Sequence, residues 1–205
     1  DGRDAEQKVR GDLGRFYLVD AQRNNNQGVA YKAAQQLYEA VMIVWKDGTA
    51  FQKAHLLDDL GQTENFMHKY GEAESNFKDA VYFRRQDPGF KGTWLAGTLM
   101  RQGSNFVDEK KYDLALQPMR EAIAVEQKAG DNYWLAEYIW TLANTEAAMG
   151  NNEQAVKHYD QAIQVIDSST GKTDARLHDI FDNKADALEK LGKKQEAAAL
   201  RAQNK

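Results

Sequence analysis

Cysteine is absent from this 205-residue chain, and proline occurs twice, at Pro88 and Pro118. Without thiols there are no disulfides, no thiolate metal ligands and no cysteine nucleophile. With so little proline, and abundant Ala, Gln, Glu and Lys, most of the chain is free to be helical. No run approaches the roughly 20 apolar residues of a membrane-spanning helix. An excess of positive charge is missing too: the net charge is −4, against the basic stripe expected of a nucleic-acid binder. The chain starts at Asp1 instead of methionine, which points equally to a removed leader and to an expressed fragment. No signal-peptide pattern remains, so a soluble cytoplasmic protein and an exported, periplasmic one are both open.

What is present is a period. Ala33, Ala73, Ala115, Ala155 and Ala197 follow one another at intervals of 40, 42, 40 and 42 residues. Four residues after each comes a bulky or long side chain: Leu37, Phe77, Met119, Tyr159 and Arg201. In the first four copies a further alanine stands three residues on, at Ala40, Ala80, Ala122 and Ala162. A period of this length is the signature of stacked supersecondary units. Each unit reads as two helices. In the clearest, Leu57, Leu60, Gly61 and Glu64 share one helical face, Tyr70-Gly71 breaks it, Ala73, Phe77, Ala80 and Val81 share the next, and Pro88-Gly89 ends it. Small residues let two helices approach, and the bulky residue fills the space beside the crossing.

This pattern resembles the tetratricopeptide repeat, which pairs Leu-Gly in a first helix with Ala-x-x-x-Phe in a second. The other copies carry Tyr17 and Ala21; Leu99, Gly103 and Phe106; Ile139, Leu142 and Ala143; and Phe181, Ala185 and Leu188 in their first helices. The usual repeat has 34 residues, so these are longer, as in the branch that includes kinesin light chain. Trp94 and Trp134 sit where an added first turn is expected. The resemblance implies an all-α solenoid of about five helix-turn-helix repeats in a right-handed superhelix. It forms one domain over 1–205, with repeats at about 14–47, 49–88, 90–130, 131–168 and 173–205. Linkers are expected at Asp47-Gly48, Asp87 to Gly89, Gly130-Asp131 and Asp167 to Thr173, with a turn at Asn24 to Gly28. Asp4 to Val9 extends the first helix, and Lys193 to Gln203 forms a polar cap. Pro118 inside a second helix predicts a kink or a late helix start.

Nothing in the sequence reads as an active site. Ser169 to Thr173 ends like a phosphate-binding loop, but Ile166 replaces the first glycine and a helix, not a strand, precedes it. His55, His68, His158 and His178 form no spaced ligand set, and no serine has a nucleophile-elbow context. The expectation is a non-enzymatic scaffold or adaptor without cofactor or metal, binding a peptide segment or partner surface in its concave groove. The alternative is a regulatory peptide sensor whose curvature changes with ligand.

The groove that the resemblance implies takes residues from the first helices. They are Arg15, Leu18, Gln22, Asn25 and Asn26; His55, Asp58, Gln62, Asn65 and Phe66; Met100, Ser104, Val107 and Asp108; Glu137, Trp140 and Asn144; and Asp179, Asp182, Asp186 and Glu189. Trp140 is balanced between a groove anchor and a buried packing role. The acidic last set favours a basic partner, with the solvated helix face as its plain counterpart. Chaperone-tail clamps of this family use Lys and Asn at places occupied here by Leu18, Gln22, Asp59, Gly97 and Arg101. Only Arg101 fits, so that role is not expected.

Overall fold

The computed structural model describes residues 2–87, 92–169 and 174–203. They form ten helices and no strand: α1 (Gly2–Asn24), α2 (Gln27–Val44), α3 (Ala50–Phe66), α4 (Tyr70–Gln86), α5 (Gly92–Asp108), α6 (Tyr112–Ala129), α7 (Asn132–Ala148), α8 (Asn152–Ser169), α9 (Arg176–Lys190) and α10 (Lys194–Gln203). The chain divides into two compact units, 1–111 and 112–205. The first holds α1–α5 and the second α6–α10.

In each unit, consecutive helices pair through the alanines of the period. Ala33, Ala73, Ala115, Ala155 and Ala197 are all fully buried, as are Ala40, Ala80, Ala122 and Ala162. Across the α3–α4 crossing, a methyl group on Gly61 would touch the Phe77 ring at 3.0 Å. Gly14 lies closer still to Leu37 of α2, 2.6 Å from the position of its absent Cβ. In the first unit Leu37, Val41 and Val44 of α2 meet Leu56, Leu57 and Leu60 of α3. In the second, Leu135 and Ile139 of α7, Tyr159 and Ile166 of α8, and Leu177 and Ile180 of α9 share one core.

Side-chain caps start several helices. Asn26 accepts from the Val29 amide at 3.2 Å. Thr49 and Gln52 form a reciprocal capping box at α3. Asp131 accepts from the amides of Tyr133 and Trp134 at α7. The Asp47-Gly48 and Gly130-Asp131 linkers and the N-terminal extension of α1 fall as expected. Pro88-Gly89 and Thr170 to Thr173 lie outside the described residues.

The turns inside the repeats share one geometry. Asn25, His68, Lys110, Gly150 and Gly192 have φ of 47°, 61°, 65°, 83° and 79°. In each case the next amide reaches back five residues, as in Lys69 N to Glu64 O at 2.8 Å and Asn151 N to Glu146 O at 2.9 Å. This is the Schellman motif, which satisfies the last carbonyls of the first helix. Four expectations are corrected. Asp167 to Ser169, expected in a linker, belong to α8, and of the expected turn Asn24 to Gly28 only Asn25-Asn26 lie outside α1 and α2. The break in the second repeat is at His68, not Tyr70-Gly71, which already belong to α4. Nor does α6 start late, since it runs from Tyr112 through Pro118, whose ring costs the helix a single backbone donor.

Gly150 and Gly192 adopt the left-handed region freely, whereas Lys110, exposed at the equivalent place, pays about 1–2 kcal/mol for it. Lys110→Gly is expected to raise stability by about 1 kcal/mol in urea unfolding, while Lys110→Ala leaves it nearly unchanged. Destabilisation by glycine would contradict this account of the turn.

Candidate interaction surface on the first helices

In the first unit the first helices α1, α3 and α5 lie beside one another, and polar side chains bridge them. Arg15 of α1 donates to Asp59 of α3 at 3.1 Å and also pairs with Asp12. Arg101 of α5 donates to Asp58 of α3 at 3.0 Å, and Gln62 donates to the same carboxylate oxygen at 3.3 Å. Asn65 donates to Asn105 at 3.1 Å and to Asp108 at 2.9 Å; Asn105 in turn donates to the Tyr70 carbonyl. Arg101, which alone matched a chaperone-tail clamp, is thus already taken up by Asp58.

These bridges set the electrostatics of α3. Asp58 is 3% and Asp59 6% exposed. Burial, then the neighbouring Asp58, pushes the Asp59 carboxyl up to about 6, with Arg15 and Arg101 opposing. Burial, then Arg15, Arg84 and Arg101, pushes His55 down to about 4, so its imidazole is neutral. His55 Nδ1 and Asp58 Oδ1 are buried without a hydrogen-bond partner. Beside them is an aromatic shelf. The Trp94 ring lies 5.2 Å from Phe51 and 5.4 Å from His55, with the Arg84 guanidinium 4.8 Å above it. Phe51 and Trp94 remain 42% and 38% exposed.

The other expected residues of this unit divide by role. Leu18 and Met100 are buried, Gln22 is exposed and Ser104 is half-buried. Asn25 supplies the left-handed turn and Asn26 caps α2. Phe66 packs at the α1–α2 core, and its carbonyl accepts from Gln27.

In the second unit, α7 and α9 form the corresponding face. Asn144 accepts from the Tyr159 hydroxyl at 2.7 Å and from Asn183 at 3.1 Å. Asn144, Tyr159, Asn183 and Asp186 line a shallow cavity of about 220 Å³. Glu137 is 3.7 Å from Arg176, which also stacks 4.2 Å over Tyr133 and is forked onto Asp174. Trp140 is half-buried and packs on the shared core of α7, α8 and α9. Its indole Nε1 is buried without a partner.

The four acids of α9 do not act as one field. Arg201 of α10 forks between Asp186 and Glu189. Asp182 is 3.7 Å from His178, and Asp179 stands in the first turn. Arg201 occupies the repeat position filled elsewhere by Leu37, Phe77, Met119 and Tyr159. The last hairpin therefore closes with an ionic fork where the others use a buried apolar side chain.

Sequence reasoning passed over several of these residues. Arg84 and Glu126 occupy the place of Val44 and Ile166 in the repeat, and all four are buried. Both Glu126 carboxylate oxygens lack a hydrogen-bond partner, and burial, then Asp131, raises its pKa. A charge at an otherwise aliphatic register position is the signal that would have found them. Among the described residues no cluster of three or more His, Asp or Glu side chains could hold a metal, and no helix is long and apolar enough to cross a membrane.

The family model of the tetratricopeptide repeat matches residues 136–167, which are the α7–α8 hairpin from Ala136 onward. No curated protein matches the chain. Solved structures carry the tetratricopeptide-like fold over its whole length. A Podosopora anserina protein of nearly identical TPR-like repeats, named for kinesin light chain, has a TM-score of 0.78 at 15% identity, covering 96% of this chain and 92% of its own. BtubC from P. vanneervenii gives 0.76 at 13%, covering 100% and 90%. Aspartyl phosphate phosphatase F from Bacillus subtilis gives 0.80 at 14%, with 100% of this chain but 52% of that one. At such identities the likeness is one of fold.

The opposite shifts on α3 predict opposite pH slopes. Folded Asp59 holds its proton up to about pH 6, above its ordinary 3.8, so its contribution to stability is present below pH 4 and falls as pH rises towards 6. Folded His55 resists protonation down to about 4, below its ordinary 6.5, so its contribution falls as pH drops through the same window. Relative to the parent, Asp59→Asn should gain stability as pH rises from 4 to 6, and His55→Asn should lose it, measured as urea midpoints. Parallel slopes would contradict the assigned environments.

Proposed function

We propose that this chain is a non-enzymatic interaction scaffold that binds a polypeptide segment of a partner protein along the faces of its first helices. One observation carries the reading. The polar side chains of α1, α3 and α5 are fixed by hydrogen bonds between helices, next to partly exposed Phe51 and Trp94. Fixed donors and acceptors beside half-exposed rings suit a peptide: the rings supply area, and the polar groups lose little freedom on binding. In this reading Gln22, Asn25, Gln62, Asn65 and Ser104 contribute the contact of the first unit, while Asp58, held by Gln62 and Arg101, and Met100 lie buried. Glu137, Trp140, Asn144, Asp179, Asp182, Asp186 and Glu189 contribute that of the second. The acids not held by Arg201, Asp179 and Asp182, favour a Lys- or Arg-bearing segment there. The fold's likeness to tetratricopeptide-like proteins supports a protein partner.

A random peptide display library panned against the intact chain tests this. Enriched peptides should bind Gln22→Arg plus Ser104→Arg, or Asp179→Asn plus Asp182→Asn, about tenfold more weakly, a loss of about 1.4 kcal/mol. The loss in the second pair should shrink with salt. Gln164→Arg, on the exposed face of α8, should change nothing. Peptides sensitive only to Gln164→Arg, or no enrichment, would overturn the proposal.

A further inference from the structure

We propose that the chain self-associates through an aromatic stripe on its first second-helix, α2, with a second copy of the same chain as the occupant. Tyr31, Tyr38, Met42 and Trp45 recur at intervals of 7, 4 and 3 residues, so they share one face at the helix α2 and its C-terminal end. They are 58%, 58%, 57% and 49% exposed.

The repeat itself provides the control. At the same four register places α4 carries Gly71, Lys78, Tyr82 and Arg85; α6 carries Asp113, Arg120, Ala124 and Gln127; α8 carries Glu153, Asp160, Gln164 and Asp167. Later second helices thus show solvent a mainly charged or polar row where α2 shows large apolar groups. No packing need of the hairpin explains the difference, because the core-facing places of all these helices are filled independently of it.

The stripe continues onto α4. Trp45 packs edge-on to Phe83 at 6.1 Å, and Phe83 on Tyr82 at 5.2 Å. Tyr82 is 58% exposed. Lys69 stands 5.3 Å over one end, at Tyr31, and Lys53 5.4 Å over Phe83.

Area argues for a second copy. An aromatic side chain presents about 150–250 Å², so these five half-exposed groups offer on the order of 500 Å² per copy. Two copies together then bury about 1,000 Å², the size at which a specific interface separates from casual contact. Order argues the same way. Read from either end, the stripe has a ring at each terminus and a ring, Tyr38, at its midpoint. An antiparallel two-fold pairing therefore sets Tyr31 against Trp45 of the other copy and Tyr38 against its own copy at the axis, with Met42 one turn away on either side. The first-helix faces take no part, so this inference is independent of the proposed peptide site.

Sedimentation velocity of the intact chain over about 1 µM to about 1 mM tests it, together with the double variant Tyr38→Glu plus Met42→Glu. The parent should shift from 23.2 kDa to twice that mass as concentration rises, and the variant should stay monomeric throughout. Circular dichroism checks that the variant is folded. If it is not, Tyr38→Gln plus Met42→Gln takes its place. The lack of cysteine adds a second readout. Tyr38→Cys, which faces its own copy at the axis, should form a disulfide-linked dimer under mild oxidation, and Asp160→Cys, its register equivalent on α8, should not. A parent that stays monomeric at all concentrations overturns the proposal. So does a dimer that persists in the folded double variant, which would place the interface elsewhere, such as the exposed Phe16–Val19 edge of α1.

Discussion

Close approach of two helices at a small residue is the constraint on which the rest of this molecule depends. Alanine stands fully buried at the same place in all five second helices. Glycine of the first helices lies close to the bulky residue one turn on, as Gly14 to Leu37 and Gly61 to Phe77. Bulk is then needed beside the crossing, and Leu37, Phe77, Met119 and Tyr159 supply it with almost no exposure. This arrangement is local in sequence. Each hairpin closes over a short Schellman turn, and its outer sides remain for the next hairpin.

Because the crossing uses so few positions, the remaining faces are free to differ. On the first helices they carry bridges such as Arg15–Asp59 and Asp58–Arg101. These link successive hairpins and hold the polar groups in place. On the second helices they carry mainly charged and polar groups, whereas α2 exposes Tyr31, Tyr38, Met42 and Trp45 together. At the last hairpin the bulky place is given to Arg201, which holds Asp186 and Glu189. Departures from the repeat are therefore where individual function is written, while the repeat itself writes only the fold.

The period made the fold legible. Ala33 to Ala197 set the register, and the pairs α1–α2, α3–α4, α7–α8 and α9–α10 follow from it. Turn positions were less legible, because the left-handed residue is Gly only at Gly150 and Gly192; Asn25, His68 and Lys110 carry the same conformation without that mark. Pro118 left a kink and a late helix start both open, and the helix runs from Tyr112 across it. For the candidate surface, the sequence placed Asp58, Gln62 and Asn65 on one face but could not show that they bridge helices. Those partners lie about 40 residues away in the chain. That Trp140 packs half-buried on the core of α7–α9 also depends on contacts distant in the chain. Arg84 and Glu126 were readable from the register as charges in an aliphatic column.

The stability of Gly14→Ala tests the small-residue crossing most directly, because two effects oppose one another there. In an unconstrained helix interior, alanine is favoured over glycine by about 1 kcal/mol. At this crossing the new Cβ would sit 2.6 Å from Leu37 Cγ and 3.3 Å from the Leu37 backbone nitrogen, and overpacking of that kind costs about 1–3 kcal/mol. The account predicts a lower urea midpoint with an unchanged slope. A higher midpoint, by the amount that helix propensity alone would give, would contradict it.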